Sequence, residues 1–101
     1  MIVNEAESRL RARELLAAIN TAVDEAMRRR SVSTPGEPTE AIHARARFLE
    51  GFTGVSVGDR ALRSVYVHVT EALGDMGAEP VLLDWAYVDL VTNFIAVLRT
   101  V

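Results

Sequence analysis

Histidine and cysteine set the limits of metal and nucleophile chemistry, and this chain has few of either. The sequence holds two histidines, His43 and His68, and no cysteine. Glu71 lies one helical turn after His68, but one histidine and one glutamate fall short of the three or four ligands that a metal site needs. The sequence also lacks a glycine-rich phosphate loop and a serine in an elbow motif. We therefore expect no metal site, no cofactor and no nucleophilic hydrolase.

One short segment nevertheless combines an acid–base group with an anion-binding group. It reads Arg63-Ser-Val-Tyr-Val-His68, and an arginine followed by four residues and a histidine resembles the core motif of the HEPN-type ribonucleases. These are all-α domains that dimerise, so that the arginines and histidines of both copies meet in a composite cleft. The resemblance implies that His68 acts as general acid or base on the ribose hydroxyl and that Arg63 stabilises phosphate charge. A ribonuclease of this type is the first alternative function.

The basic residues are all arginine, and Arg28, Arg29 and Arg30 are consecutive. The chain has 11 basic against 14 acidic residues and a net charge of -3, whereas nucleic-acid-binding domains are usually net basic. We therefore interpret the run as cations at a helix C-terminus. A DNA-binding regulator is the second alternative, and it requires the run to share one exposed face with Arg45 and Arg47.

The last part of the chain, Val81 to Val101, is apolar almost all the way round a helix. The interruptions are Asp84, Asp89, Thr92, Asn93, Arg99 and Thr100. A membrane span is disfavoured because Asp89 would cost about 3 kcal/mol near the bilayer centre and no basic cluster flanks the segment. A helix without a broad polar face must be covered by another surface. We expect a homo-oligomer or another protein as partner, with an interface at Trp85, Val88, Phe94 and Leu98. A core helix covered by the other helices of the same bundle is the alternative.

Apolar residues at three- and four-residue spacing predict one all-α domain, four-helix bundle-like, over residues 1–101. The predicted helices cover about residues 4–30, 39–53, 57–75 and 80–99, with a flexible loop at about 31–38. Asn4 can cap the first helix, Thr39 begins the second, and Ser56 with Asp59 resembles a capping box for the third. Pro80 suits the first turn of the fourth.

The sequence of residues 64–70 is compatible with a helix or a strand, because valines alternate there with other side chains as in a strand. We favour a helix, since the helical spacing continues over a longer window and a lone strand has no partner. The predicted core consists of Leu15, Ile19, Phe48, Leu49, Leu62, Val65, Val69, Leu73 and Leu90.

These patterns favour a small protein–protein interaction module without catalytic activity, such as an adaptor, an inhibitor or an accessory factor. The exclusive use of arginine indicates GC-rich coding, which is common in actinobacteria and their phages. The first residues, Met1 to Glu7, lack the basic and apolar regions of a secretory signal, so we expect a cytoplasmic protein.

Overall fold

The computed structural model describes the backbone of residues 5–52, 56–57, 60–73 and 85–100, and the side chains of 10–52, 61–73 and 88–100. Within these ranges the chain forms four helices, α1 (Glu5–Arg29), α2 (Pro38–Glu50), α3 (Leu62–Leu73) and α4 (Trp85–Leu98). Two short strands, β1 (Ser56–Val57) and β2 (Arg60–Ala61), form an antiparallel pair before α3. The predicted all-α, bundle-like architecture is confirmed.

Helix α1 ends in a left-handed turn at Ser31. This residue has a φ of 61°, and the flanking backbone forms a Schellman motif. The N–H of Val32 donates to the carbonyl of Met27, and the N–H of Ser31 donates to the carbonyl of Arg28, both at 2.9 Å. Glycine is the usual residue at such a position, because a side chain there costs about 1 kcal/mol.

Helix α2 begins one residue before the predicted start. Pro38 occupies its first turn, where a missing N–H costs nothing. The carboxylate of Glu37 accepts a hydrogen bond of 2.7 Å from the N–H of Glu40 and so caps the helix. The helix ends at Glu50, before the predicted boundary.

Helix α3 begins later than predicted. Ser56, expected as a cap, is a strand residue opposite Ala61, and the helix starts at Leu62. Residues 64–70 are helical, as the longer periodicity predicted. Asn4 and residues 74–84, which include the predicted starts of the first and fourth helices, lie outside the described residues.

The core gathers side chains from all four helices. Of the predicted core residues, six are buried: Ile19, Leu49, Leu62, Val65, Val69 and Leu73. The other three, Leu15, Phe48 and Leu90, are partly exposed and pack against the core cluster. The helical register inferred from the sequence is therefore correct for these positions.

Side-chain contacts show that α1, α2 and α4 finish at the same end of the bundle. Nη2 of Arg29, at the end of α1, donates to the carbonyl of Leu98, at the end of α4, over 2.8 Å. The guanidinium of Arg30 lies 5.4 Å from the ring centre of Phe52, two residues beyond α2. Helix C-termini carry partial negative charge, so arginines at this end offset three helix dipoles together.

Candidate interaction surface and polar contacts

Helix α4 is amphipathic, with a narrow exposed side. Val91, Phe94 and Leu98 have no exposed surface. The exposed positions are Asp89, Thr92, Asn93, Ala96, Arg99 and Thr100. They include every interrupting residue within the described part of the segment, and their spacing places them on one side of the helix. The polar residues thus form a solvent-facing stripe, so this helix is not apolar all the way round.

The residues predicted to form an interface on α4 lie in different environments. Phe94 and Leu98 are covered by their own chain, so their apolar character requires no partner. Val88 is partly exposed. The side chain of Trp85 lies outside the described residues. The expected interface therefore narrows to Val88 and to the partly exposed side chains near it.

Partly exposed aliphatic side chains flank the buried face of α4 on both sides. Val88 and Ile95 lie on one flank, and Leu90 and Val97 lie on the other. Each pair is separated by seven residues, close to two helical turns, so each forms a short ridge along the helix. Leu90, Ile95 and Val97 also pack against the core with part of their surface, so aliphatic surface remains partly exposed along both edges of the buried face.

Arg63 and His68 are both exposed on α3. Their spacing separates them by about 140° around the helix axis. Nε of Arg63 lies 2.7 Å from Oε1 of Glu50, so this arginine forms an ion pair between the end of α2 and the start of α3.

A partly buried ion pair joins α1 to α2. Arg45 donates from Nε to Oδ1 of Asp24 at 2.8 Å and from Nη2 to Oδ2 at 3.1 Å. Thr34, in the connection between the helices, donates from Oγ1 to the same Oδ1 at 3.0 Å. The two-bond geometry and the third donor fix the carboxylate and hold the connection against α1.

The surroundings of Arg45 keep it charged. Burial lowers the pKa of its guanidinium, but hydrogen bonds with Asp24 and Tyr66 raise it, and the pKa lies above its ordinary value. The hydroxyl of Tyr66 also donates to Oδ1 of Asn20 at 3.1 Å. These contacts connect α1, α2 and α3 through polar groups beside an apolar core.

Arg45 holds α1 and α2 together and does not contribute to a DNA-binding face. Its side chain is 13% exposed, so it does not belong to the exposed basic face that a DNA-binding regulator requires. The available signal was the position of Asn20 and Asp24, which lie one turn apart along the edge of the apolar stripe of α1. Polar residues that are partly buried at such an edge need partners, and long donors such as Arg45 supply them.

Two general properties describe the chain as far as the structure extends. Among the described residues, no three histidine, aspartate or glutamate side chains are grouped so that they could hold a metal ion. None of the described helices combines the length and apolar character needed to cross a membrane.

No protein-family model, curated protein or solved structure matches this chain.

Proposed function

We propose that this protein is a small helical module that binds another protein surface through α4 and performs no catalysis. The observation that carries the proposal is the width of the aliphatic arc on α4, which extends past the buried face to Val88 and Ile95. Both side chains are β-branched and therefore stiff, so they lose little conformational freedom when a partner covers them. This ridge of Val88 and Ile95 is the proposed interface.

The occupant we propose for the ridge is a second copy of the chain. A two-fold axis brings the same patch of both copies together. With antiparallel α4 helices, Val88 lies against the partner's Ile95, and the same contact repeats on the other side of the axis. The exposed Asp89 and Thr92 then remain at the rim, where water solvates them.

The contacts of the charged side chains support the non-catalytic part of the proposal. Asp24 and Arg45 hold α1 to α2, and Arg63 is bonded to Glu50. These groups stabilise the fold where they are.

Two substitutions on neighbouring positions test the ridge. Ile95→Glu places a charge on the partly exposed ridge, whereas Ala96→Glu places the same charge on the exposed side of the same helix. Light scattering at tens of micromolar should give a dimer for the parent and for Ala96→Glu, and a monomer for Ile95→Glu. Helical circular dichroism must remain unchanged in both variants. If Ile95→Glu is still a dimer, the interface lies elsewhere. If the parent protein is a monomer but forms a complex with a different protein, that protein and not a second copy is the partner.

A direct assay separates this module from the ribonuclease alternative. We expect single-stranded RNA to remain intact with the parent protein in the absence of metal ions, and with His68→Ala as well. Cleavage by the parent that is lost in His68→Ala and Arg63→Ala, while both variants keep their helical content, would establish the ribonuclease instead.

A further inference from the structure

The end of the bundle where α1, α2 and α4 finish concentrates positive charge. Its exposed arginines are Arg28, Arg29, Arg30, Arg47, Arg63 and Arg99. Among the described residues, Glu25 and Glu50 are the acidic side chains paired with them, so the described side chains of this surface, which we call the arginine end, carry a net charge of +4. The whole chain carries -3, so the charge of the arginine end is opposite to that of the protein as a whole.

Helix dipoles account for part of this positive charge and leave an excess. Each helix C-terminus is equivalent to about half a negative charge, so the three ends contribute about -1.5. The start of α3, which lies at the same end through the contact between Arg63 and Glu50, returns about half a positive charge. The arginine end keeps an excess of about three positive charges after the dipoles are offset.

Apolar side chains lie among these arginines. Phe52 and Phe48 are in edge-to-face contact with ring centres 5.2 Å apart, and Arg30 lies over Phe52. Val32, two residues after Arg30, is 39% exposed. Arginine and aromatic side chains together are typical of the residues that dominate protein–protein binding energy.

We propose that the arginine end binds an acidic segment of another protein, in which apolar side chains are interspersed among carboxylates. The inference rests on the proposed function and adds a second surface with a defined partner chemistry. Carboxylates pair with the arginine guanidinium groups, and the apolar side chains contact Val32 and Phe52. A long nucleic acid fits less well, because the net charge of -3 on the whole chain repels it.

The probe is a fluorescein-labelled peptide of repeated Glu-Glu-Leu units, and binding is measured by fluorescence anisotropy. The parent should bind this peptide with an affinity that falls as salt is added. Arg28→Gln with Arg47→Gln removes two exposed charges from the last turns of α1 and α2. This double variant should bind about tenfold more weakly, because each exposed ion pair contributes modestly. The matched control, Arg11→Gln with Arg13→Gln, removes the same charge from the first half of α1 and should bind like the parent.

Three results would overturn this inference: no peptide binding by the parent, equal weakening in both double variants, or tighter binding of a single-stranded DNA of the same charge. Dimer formation is a separate readout, because neither double variant alters Val88 or Ile95. If the parent protein is a monomer but binds the peptide, only the proposed α4 interface is contradicted. If the parent protein is a dimer but does not bind the peptide, only the proposed acidic partner is contradicted.

Discussion

Breaking the ion pair between Asp24 and Arg45 should cost more stability than breaking the pair between Glu50 and Arg63. Both pairs join neighbouring helices, with N–O distances of 2.8 Å and 2.7 Å. They differ in exposure, since the side chains are 13% and 33% exposed for Arg45 and Asp24 but 49% and 50% for Arg63 and Glu50. Water and salt screen the second pair more strongly.

The expected magnitudes follow from this difference in screening. Removing one partner of a fully buried pair costs about 3–5 kcal/mol, whereas exposed pairs contribute about 0.2–1 kcal/mol. The side chain of Asp24 is 33% exposed, so the pair lies between these two limits. We expect Arg45→Ala or Asp24→Ala to lower the free energy of unfolding by about 2–3 kcal/mol. We expect Arg63→Ala or Glu50→Ala to lower it by less than about 1 kcal/mol.

The assay is urea unfolding followed by circular dichroism, on both single variants and the double variant of each pair. The coupling energy between Asp24 and Arg45 should be about 1.5–3 kcal/mol, against less than about 0.5 kcal/mol for the exposed pair. Because folding raises the pKa of Arg45, its contribution is fully present below the ordinary arginine pKa and is lost only as pH rises through the folded value. Equal coupling energies for the two pairs would refute the reasoning from burial.

Four further substitutions test individual features of the fold. Ser31→Gly should raise the free energy of unfolding by about 0.5–1 kcal/mol, because Ser31 is left-handed; a gain of the same size from Ser33→Gly would contradict this explanation. Oγ1 of Thr70 is buried without a hydrogen-bond partner, so Thr70→Val should stabilise the protein by about 1 kcal/mol, and a lower urea midpoint would show that the hydroxyl is satisfied. Ile19→Ala and Leu73→Ala should each cost about 2–5 kcal/mol, and unchanged midpoints for both would disprove the helical register.

The sequence predicted the helices well because apolar periodicity reports directly on which side of a helix is buried. It favoured the correct state for residues 64–70, where the spacing of Val65 and Val69 outweighs local β propensity. It failed at the start of α3, because Ser56 suits a helix cap and a strand equally, and its pairing with Ala61, five residues later, competes with the cap.

The polar contacts were harder to predict, because they depend on distances between separate helices. Arg45 and Arg47 look alike in the sequence, yet Arg45 is bonded to Asp24 and Arg47 is exposed. Phe94 and Leu98 present the opposite case: an apolar segment was interpreted as a partner surface, but neighbouring helices of the same chain bury both side chains. Sequence spacing gives the face of a helix, and tertiary packing decides what covers it.

The most direct test of the account is the molar mass of the unmodified protein, measured by light scattering over a concentration series up to tens of micromolar. The proposed self-association through Val88 and Ile95 predicts a mass that rises from that of one chain, 11.1 kDa, towards twice that value. A mass of 11.1 kDa at every concentration would contradict it.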